Sequence, residues 1–192
     1  MPTDPVPRFR RWFEQARRAG IELPEAMALA TADVKGRPSV RFVLMKEIDH
    51  RGLVFFSNEG SRKGRELGVN PHAAAAFHWE RLRRQVRIEG RVERIAAAEA
   101  NAYWKTRPRA SQLAALASAQ SEELSRRAVL VARWRALAAR HHGQEVPRPP
   151  EWTGFRIIPE SFEFWTHRAH RLHDREFFVR SPRGWRRKLL QP

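Results

Sequence analysis

The chain has 192 residues, 42% hydrophobic and 30% charged, with no cysteine and a formal net charge of +16 from 37 Lys and Arg against 21 Asp and Glu. That composition fits one globular domain with a real core, and it excludes disulfide staples, thiol catalysis and Cys-ligated zinc. No run approaches the roughly 18–20 apolar residues that cross a bilayer, and no signal-peptide core opens the chain, so a soluble cytosolic protein without a membrane partner is expected. The positive charge is compatible with nucleic acid, with a small polyanionic ligand, or with a merely solvated basic surface. The arginines are spread along the chain rather than gathered in a block, which favours the last of these.

In chain order, residues 5–18 predict a helix: Asp4 is placed to cap it, Pro5 suits its first position and Gly20 ends it. Val6, Phe9, Phe13 and Ala16 share one face, so this helix packs on something. Short strands with close turns follow at 26–33, 39–49 and 53–58 and read as an antiparallel meander. A short helix is expected over 60–70, then strands at 73–80 and 83–95. In the last of these Val86, Ile88 and Val92 alternate with Arg87, Glu89, Arg91 and Glu93, the pattern of a half-solvated strand. Helices are expected at 96–107, 111–118 and 121–143, with Pro108 breaking the first. The Pro-rich segment 146–152 connects back to four strands, "GFRIIP", "SFEFWTH", "REFFVR" and "GWRRKLL", the last two joined by the turn "SPRG". Strands that run together without βαβ alternation give an α+β class, mainly β: a barrel-like antiparallel sheet with packed helices, the first and last strand groups sharing it.

Four stretches can carry chemistry. In "RFVLMK", Arg41 and Lys46 are five apart in an apolar strand, which puts them on opposite faces unless a bulge or twist intervenes. They either find anions or sit at strand ends and reach water. "SNEGSRKG" runs from a strand end through a Gly turn to a helix start, bringing a hydroxyl, free amides, Arg62 and Lys63 together as a phosphate site, or else as a capped helix with solvated cations. The GxxxxGK[ST] pattern of a nucleotide P-loop is absent. In "YWKTRPRASQ", Tyr103, the only tyrosine, and Arg107 share a helix face, and Ser111 opens the next helix. Alone, this reads more readily as an interfacial Tyr beside a surface Arg. "FEFWTHRAHRLHDR" concentrates His and Arg at one turn beside Trp165. It has no zinc-protease spacing, so an aromatic organic anion fits better than a metal. A lone tyrosine and scattered arginines make no aromatic-basic platform for nucleic acid.

Taken together, "RFVLMK", "FFSNEGSRKG", "RRQVRIEG", "YWKTRPRASQ", "SAQS", "PEWTGFRI", "FEFW" and "HRLHDR" resemble the pyridoxamine/pyridoxine 5′-phosphate oxidases, in order and over nearly the whole chain. The resemblance implies a split β-barrel over residues 1–192, a homodimer with FMN at its interface, and oxidation of pyridoxine or pyridoxamine 5′-phosphate to pyridoxal 5′-phosphate with O2. It implies that Arg41, Ser57, Arg62 and Lys63 surround the FMN phosphate and ribityl chain, and that Gln85, Trp165 and Arg175 contact the flavin. Gln120 and Ser121 would reach the FMN from the other subunit. Lys46, Tyr103, Arg107 and Ser111 would hold the substrate phosphate, with Lys46 also near the cofactor. Arg171 and His173 would flank the substrate ring as catalytic residues, His173 assisting proton removal. Phe56 stands in the flavin-binding strand where the family commonly has tyrosine, so one FMN contact is expected to be lost. Family members often carry a longer lead-in before the first helix, and a lid or secondary product site built from one is not expected here. A same-fold flavoenzyme with another substrate, such as one acting in phenazine formation, is the alternative.

Overall fold

A computed structural model describes residues 4–192. Helix α1 (Pro5–Arg18) starts as expected: the Val6 amide donates to the Asp4 carboxylate at 2.9 Å. It buries Val6, Phe9, Trp12 and Ala16, with Trp12 taking the place expected of Phe13. The fully buried Phe9 ring meets Phe77 and Phe162 edge-on at 5.1 and 6.5 Å. Burying such a ring contributes roughly 1.5–3 kcal/mol, enough to fix the helix on the sheet.

Nine strands form one antiparallel sheet: β1 (Ala26–Ala32), β2 (Pro38–Leu44), β3 (Glu47–Ile48), β4 (Leu53–Asn58), β5 (His72–Trp79), β6 (Arg84–Arg94), β7 (Trp152–Thr166), β8 (Asp174–Ser181) and β9 (Gly184–Leu189). The strand order is β2-β1-β5-β6-β7-β4-β3, with β8 also on β7 and β9 on β8. β2 and β3 lie at opposite ends of that order, yet only Met45 and Lys46 separate them in the chain. The sheet must therefore curl back on itself. Those two amides seal the closure, Met45 N–H bonding to Glu25 O beside β1 at 3.0 Å and Lys46 N–H to Val54 O on β4 at 2.8 Å. The result is a curled antiparallel half-barrel with packed helices, in line with the expected split barrel.

Four expectations change. The segment 39–49 is two strands broken at Met45–Lys46. It is also not a buried run, since Val40 is 68% and Phe42 78% exposed. The meander continues only through the two-residue β3, which pairs with β4, while the whole of β4 crosses to pair with β7. "GFRIIP" and "SFEFWTH" are one fifteen-residue strand, β7, which passes through Pro159. Proline has no N–H to give the ladder, and β7 absorbs the defect as a bulge in which Glu160 is the extra residue, opposite Glu89 and Gly90 of β6. β4 and β8 then share one edge of β7, β4 pairing with Trp152–Ile157 and β8 with Ser161–Thr166. The sheet thus forks at Pro159 into two branches.

The helices are α2 (Arg62–Val69), α3 (Ala97–Thr106), α4 (Arg109–Ala117) and α5 (Arg127–Arg140). The last is shorter than the expected 121–143, because residues 121–126 form a loop in which Ser121 takes a left-handed backbone, φ 75°. Arg156, 2% exposed on β7, is neutralised by Asp49 at 2.9 Å and Glu99 at 3.4 Å, which ties the β3–β4 turn and the first turn of α3 to the sheet. No helix among the described residues is long and apolar enough to cross a membrane.

A Cβ added at Gly90 would lie 2.0 Å from the Ile158 carbonyl oxygen, a backbone atom held in the ladder. Gly90→Ala is expected to destabilise the fold by on the order of 3 kcal/mol, read as a lowered thermal midpoint; an unchanged midpoint would mean the bulge is not rigid.

Candidate active-site cleft

A cleft of about 950 Å³ opens between β2, β4, the start of α2, and helices α3 and α4. Eleven of the expected site residues line it: Arg41, Lys46, Phe56, Ser57, Arg62, Lys63, Tyr103, Arg107, Ser111, Gln120 and Ser121. Arg41 and Lys46 meet there despite their odd spacing because β2 ends at Leu44 and the chain turns before β3. Gln120 and Ser121, expected from another subunit, line their own chain's cleft. The Gln120 side-chain oxygen accepts from Ser57 Oγ at 3.2 Å and from the Asn58 amide at 3.3 Å.

The first cationic site lies at the start of α2. Ser61 caps the helix, and its Oγ bonds to Asn58 O at 2.7 Å. Gly64 is required, because a Cβ there would stand 2.3 Å from the Glu59 carbonyl oxygen. Lys63, 6% exposed, donates to Ser57 Oγ at 2.8 Å and Ser61 Oγ at 3.2 Å, and it has no carboxylate partner among the described residues. A buried ammonium held only by hydroxyls is costly. Burial first, and the charge of Arg41 second, push Lys63 down to about 8. This is the polarity of a site built for an anion, and a phosphate group fits it.

Arg41 and Arg62 are held by Glu66. Arg41 donates to Leu29 O at 3.1 Å, to Thr31 Oγ1 at 2.6 Å and to Ser39 Oγ. The Thr31 hydroxyl in turn donates to Glu66, as does that of Ser39 at 2.6 Å, while Arg62 Nε reaches the other carboxylate oxygen at 2.8 Å. Burial works to raise Glu66, but the Ser39 and Thr31 hydroxyls and the two guanidinium groups hold it at about 2. It therefore stays ionised and fixes the arginines that flank Lys63.

The second cationic site lies at the end of α3. Phe56, Tyr103 and Trp152 stack nearly parallel, with Phe56–Tyr103 centroids 3.9 Å apart and Phe56–Trp152 5.0 Å. Phe56 is thus a support beneath Tyr103 as well as part of the cleft wall. Burial pushes the Tyr103 phenol up and the Arg107 guanidinium down. Arg107 makes no ion pair among the described residues, and its Nη1 is buried with no hydrogen-bond partner. A guanidinium with an unpartnered N–H, on a residue that lines the cleft, suits a phosphate or carboxylate oxygen.

The remaining expected residues do not line this cleft. Gln85, Trp165, Arg171, His173 and Arg175 belong to the β8 branch of the sheet, where Gln85 pairs with Trp165 and Trp165 with Arg175. Arg175 grips Glu163 with two hydrogen bonds of 2.7 and 3.1 Å, and Arg87 shares that carboxylate at 2.6 Å. The His173 ring stands 4.5 Å from Trp165. His170 and Arg171 are both left-handed, φ 56° and 62°, a strain that non-glycine residues carry mostly at functional turns. His173 Nδ1 accepts the Arg168 amide at 3.1 Å, so the neutral ring carries its proton on Nε2. In that tautomer Nε2 can donate a hydrogen bond but has no lone pair with which to take up a proton. Trp104, Trp152, Glu66, Thr31 and Ser39 were not singled out from the sequence. Only the fixed position of Trp152 in "PEWTGFRI" hinted at a role.

Comparison with known proteins places this geometry in context. A family model described as "Pyridoxamine 5′-phosphate oxidase" matches residues 13–141, and one described as "Pyridoxine 5′-phosphate oxidase C-terminal dimerisation region" matches 152–192, beginning at the first residue of β7. The chain is 52% identical over 189 residues to a pyridoxine/pyridoxamine 5′-phosphate oxidase of Rubrobacter xylanophilus, covering 98% of this chain and 87% of that protein. It is 49% identical to one of Myxococcus xanthus, covering 100% and 93%. Among solved structures it is similar to PhzG of Burkholderia lata in complex with tetrahydrophenazine-1-carboxylic acid, with TM-score 0.95, 36% identity and coverage of 100% and 94%.

The state of Lys63 sets a pH dependence. Above about pH 8 the empty cleft has lost this proton, and an entering phosphate dianion restores it, so binding takes up a proton. Affinity for FMN is expected to be flat between about pH 7 and 8, where the phosphate is already a dianion, and to fall by up to about tenfold per unit above that, measured by flavin fluorescence quenching. Lys63→Met should flatten the profile, and a wild-type affinity that does not change up to about pH 9.5 would contradict this account of Lys63.

Proposed function

The chain belongs to the pyridoxamine 5′-phosphate oxidase family, and we propose that it uses FMN to oxidise pyridoxine or pyridoxamine 5′-phosphate to pyridoxal 5′-phosphate, with dioxygen as electron acceptor. The observation that carries this reading is the pair of unneutralised cationic sites in one cleft, Lys63 at one end and Arg107 at the other. A flavin nucleotide and a B6 phosphate ester bring one phosphate each.

Lys63, Arg62, Arg41 and Ser57 hold the FMN phosphate and ribityl chain, with Gln120 and Ser121 of the same chain closing that side. Lys46, Tyr103, Arg107 and Ser111 hold the substrate phosphate through charge-assisted bonds. FMN, when bound, supplies the hydride acceptor and the route of electrons to dioxygen. The protein contributes alignment of two ligands and positive charge. Residues 1–192 act as one FMN-binding domain.

Gln85, Trp165, Arg171, His173 and Arg175 come from a second copy. Ser57 pairs with Thr153, and Trp165 lies twelve residues further along β7; at about 3.3 Å per residue that is roughly 40 Å. No side chain spans this, so the β8 branch of one chain serves the cleft of its partner in a homodimer with FMN at the interface. There Arg171 orients the substrate ring and His173 donates from Nε2, while Gln85, Trp165 and Arg175 contact the flavin.

The likeness to PhzG favours a second reading, a flavoenzyme acting on a phosphate-free ring system. Lys46, Tyr103, Arg107 and Ser111 together in the cleft argue for a phosphorylated substrate.

Oxygen uptake with FMN and each phosphorylated vitamer is expected, with Arg107→Ala raising KM at least about tenfold while flavin stays bound. Release of FMN from that variant would reverse the assignment of the two phosphate sites. Arg107→Ala and Arg171→Ala homodimers should both be impaired, and dimers reassembled from a mixture should recover about a quarter of wild-type activity through one intact site per hybrid; no recovery would place both residues in one chain's site.

A further inference from the structure

Arg107 raises a question that the assignment of a phosphate ligand leaves open: what holds it? It follows the last turn of α3 with extended backbone, φ −72° and ψ 143°, and it precedes Pro108, so the helix does not aim it. No carboxylate pairs with it among the described residues, although Glu66 restrains Arg41 and Glu163 restrains Arg175. Its neighbours are two indoles. The guanidinium carbon lies 4.6 Å from the Trp152 ring centroid and 5.0 Å from that of Trp104, and the two rings meet at 67° with centroids 4.8 Å apart.

Resting on the reading above, we infer that Trp104 and Trp152 form an aromatic seat for Arg107, which makes Trp152 a positioning residue for the substrate phosphate. A guanidinium lying against π faces is attracted through the ring quadrupoles, while its N–H groups point outward in its own plane. A carboxylate in the same place would hold the cation equally well, but it would cancel the charge and compete with the incoming phosphate. The aromatic corner keeps Arg107 ordered and fully positive, with Nη1 unspent.

The seat is itself fixed. Trp104 Nε1 donates to Val146 O at 2.8 Å, and both indoles are at most 5% exposed. Trp152 also stacks on Phe56, which stacks on Tyr103 at 3.9 Å. Arg107 directly, and Tyr103 through Phe56, therefore lean on one indole, so a change at Trp152 reaches both phosphate ligands of α3 and none of those on α2.

The test uses the FMN-loaded protein, steady-state oxygen uptake with pyridoxamine 5′-phosphate, and separate FMN titration. Trp152→Leu is expected to raise KM about tenfold with kcat and FMN affinity within about twofold of wild type, and Trp152→Phe, which keeps a π face, to restore KM to within about threefold. Arg107→Lys keeps the charge but not the flat surface, and it should resemble Arg107→Ala. The inference is overturned if Trp152→Leu lowers kcat with KM unchanged, if Trp152→Phe is as impaired as Trp152→Leu, or if Arg107→Lys behaves as wild type. The last variant decides alone should Trp152→Leu fail to fold. Inactivity of the wild type on phosphorylated vitamers would sink the oxidase reading instead. The seat is then judged by calorimetric binding of inorganic phosphate to the same variants, where the same order of affinities supports it and equal affinities refute it.

Discussion

Two consecutive backbone amides close the sheet. Met45 bonds toward β1 and Lys46 toward β4, and between them the chain passes from one end of the strand order to the other. Everything in the cleft follows from this seam. Because β2 stops there, Arg41 on its last turns and Lys46 just beyond it look into the same space. Because the seam brings β2 beside β4, the hydroxyl of Ser57 and the start of α2 face Arg41. A sheet that stayed flat would scatter these cations over two surfaces, where water would screen them.

β7 imposes the second constraint. Its length and its fork at Pro159 separate the residues that line the cleft from Trp165, His173 and Arg175. In the proposed homodimer one copy would carry half of two sites rather than the whole of one. The exposed apolar side chains on β2, Val40 and Phe42, lie on the wall of the cleft and are consistent with a surface that another copy covers. Within the cleft the protein treats its cations in different ways. Glu66 neutralises and braces Arg41 and Arg62, whereas among the described residues Lys63 bonds only to hydroxyls and Arg107 lies against indoles with no carboxylate partner.

The alternation of Val86, Ile88 and Val92, the cap at Asp4 and the Gly and Pro punctuation made most of the elements legible in the sequence, and the order of eight short motifs pointed to the family. Long-range pairing was not legible. Nothing local in "LVFFSN" says that β4, paired with β3 on one edge, takes β7 on the other, since strand partners are chosen by the global curl. The burial of "RFVLMK" was misread for the same reason: apolar composition does not reveal whether the covering surface belongs to this chain or to another. The helix expected from 121 begins at 127 because Gln120 and Ser121 are drawn into the cleft wall, and that tertiary contact outweighs the helical preference of the intervening residues. Glu66 carries one local signal, its place four residues after Arg62 on α2, but its partners Thr31, Ser39 and Arg41, like the Arg107 partner of Trp152, are distant in the chain and leave no spacing to read.

The crowding of positive charge around Lys63 has a consequence beyond binding. Only the folded state holds these groups together, so an occupying dianion stabilises that state and leaves the unfolded one untouched. Proteases act on the fraction of molecules that open, and that fraction shrinks as occupancy rises. Occupancy of the cleft by a phosphate ester would therefore lengthen the life of the folded chain as well as filling its site.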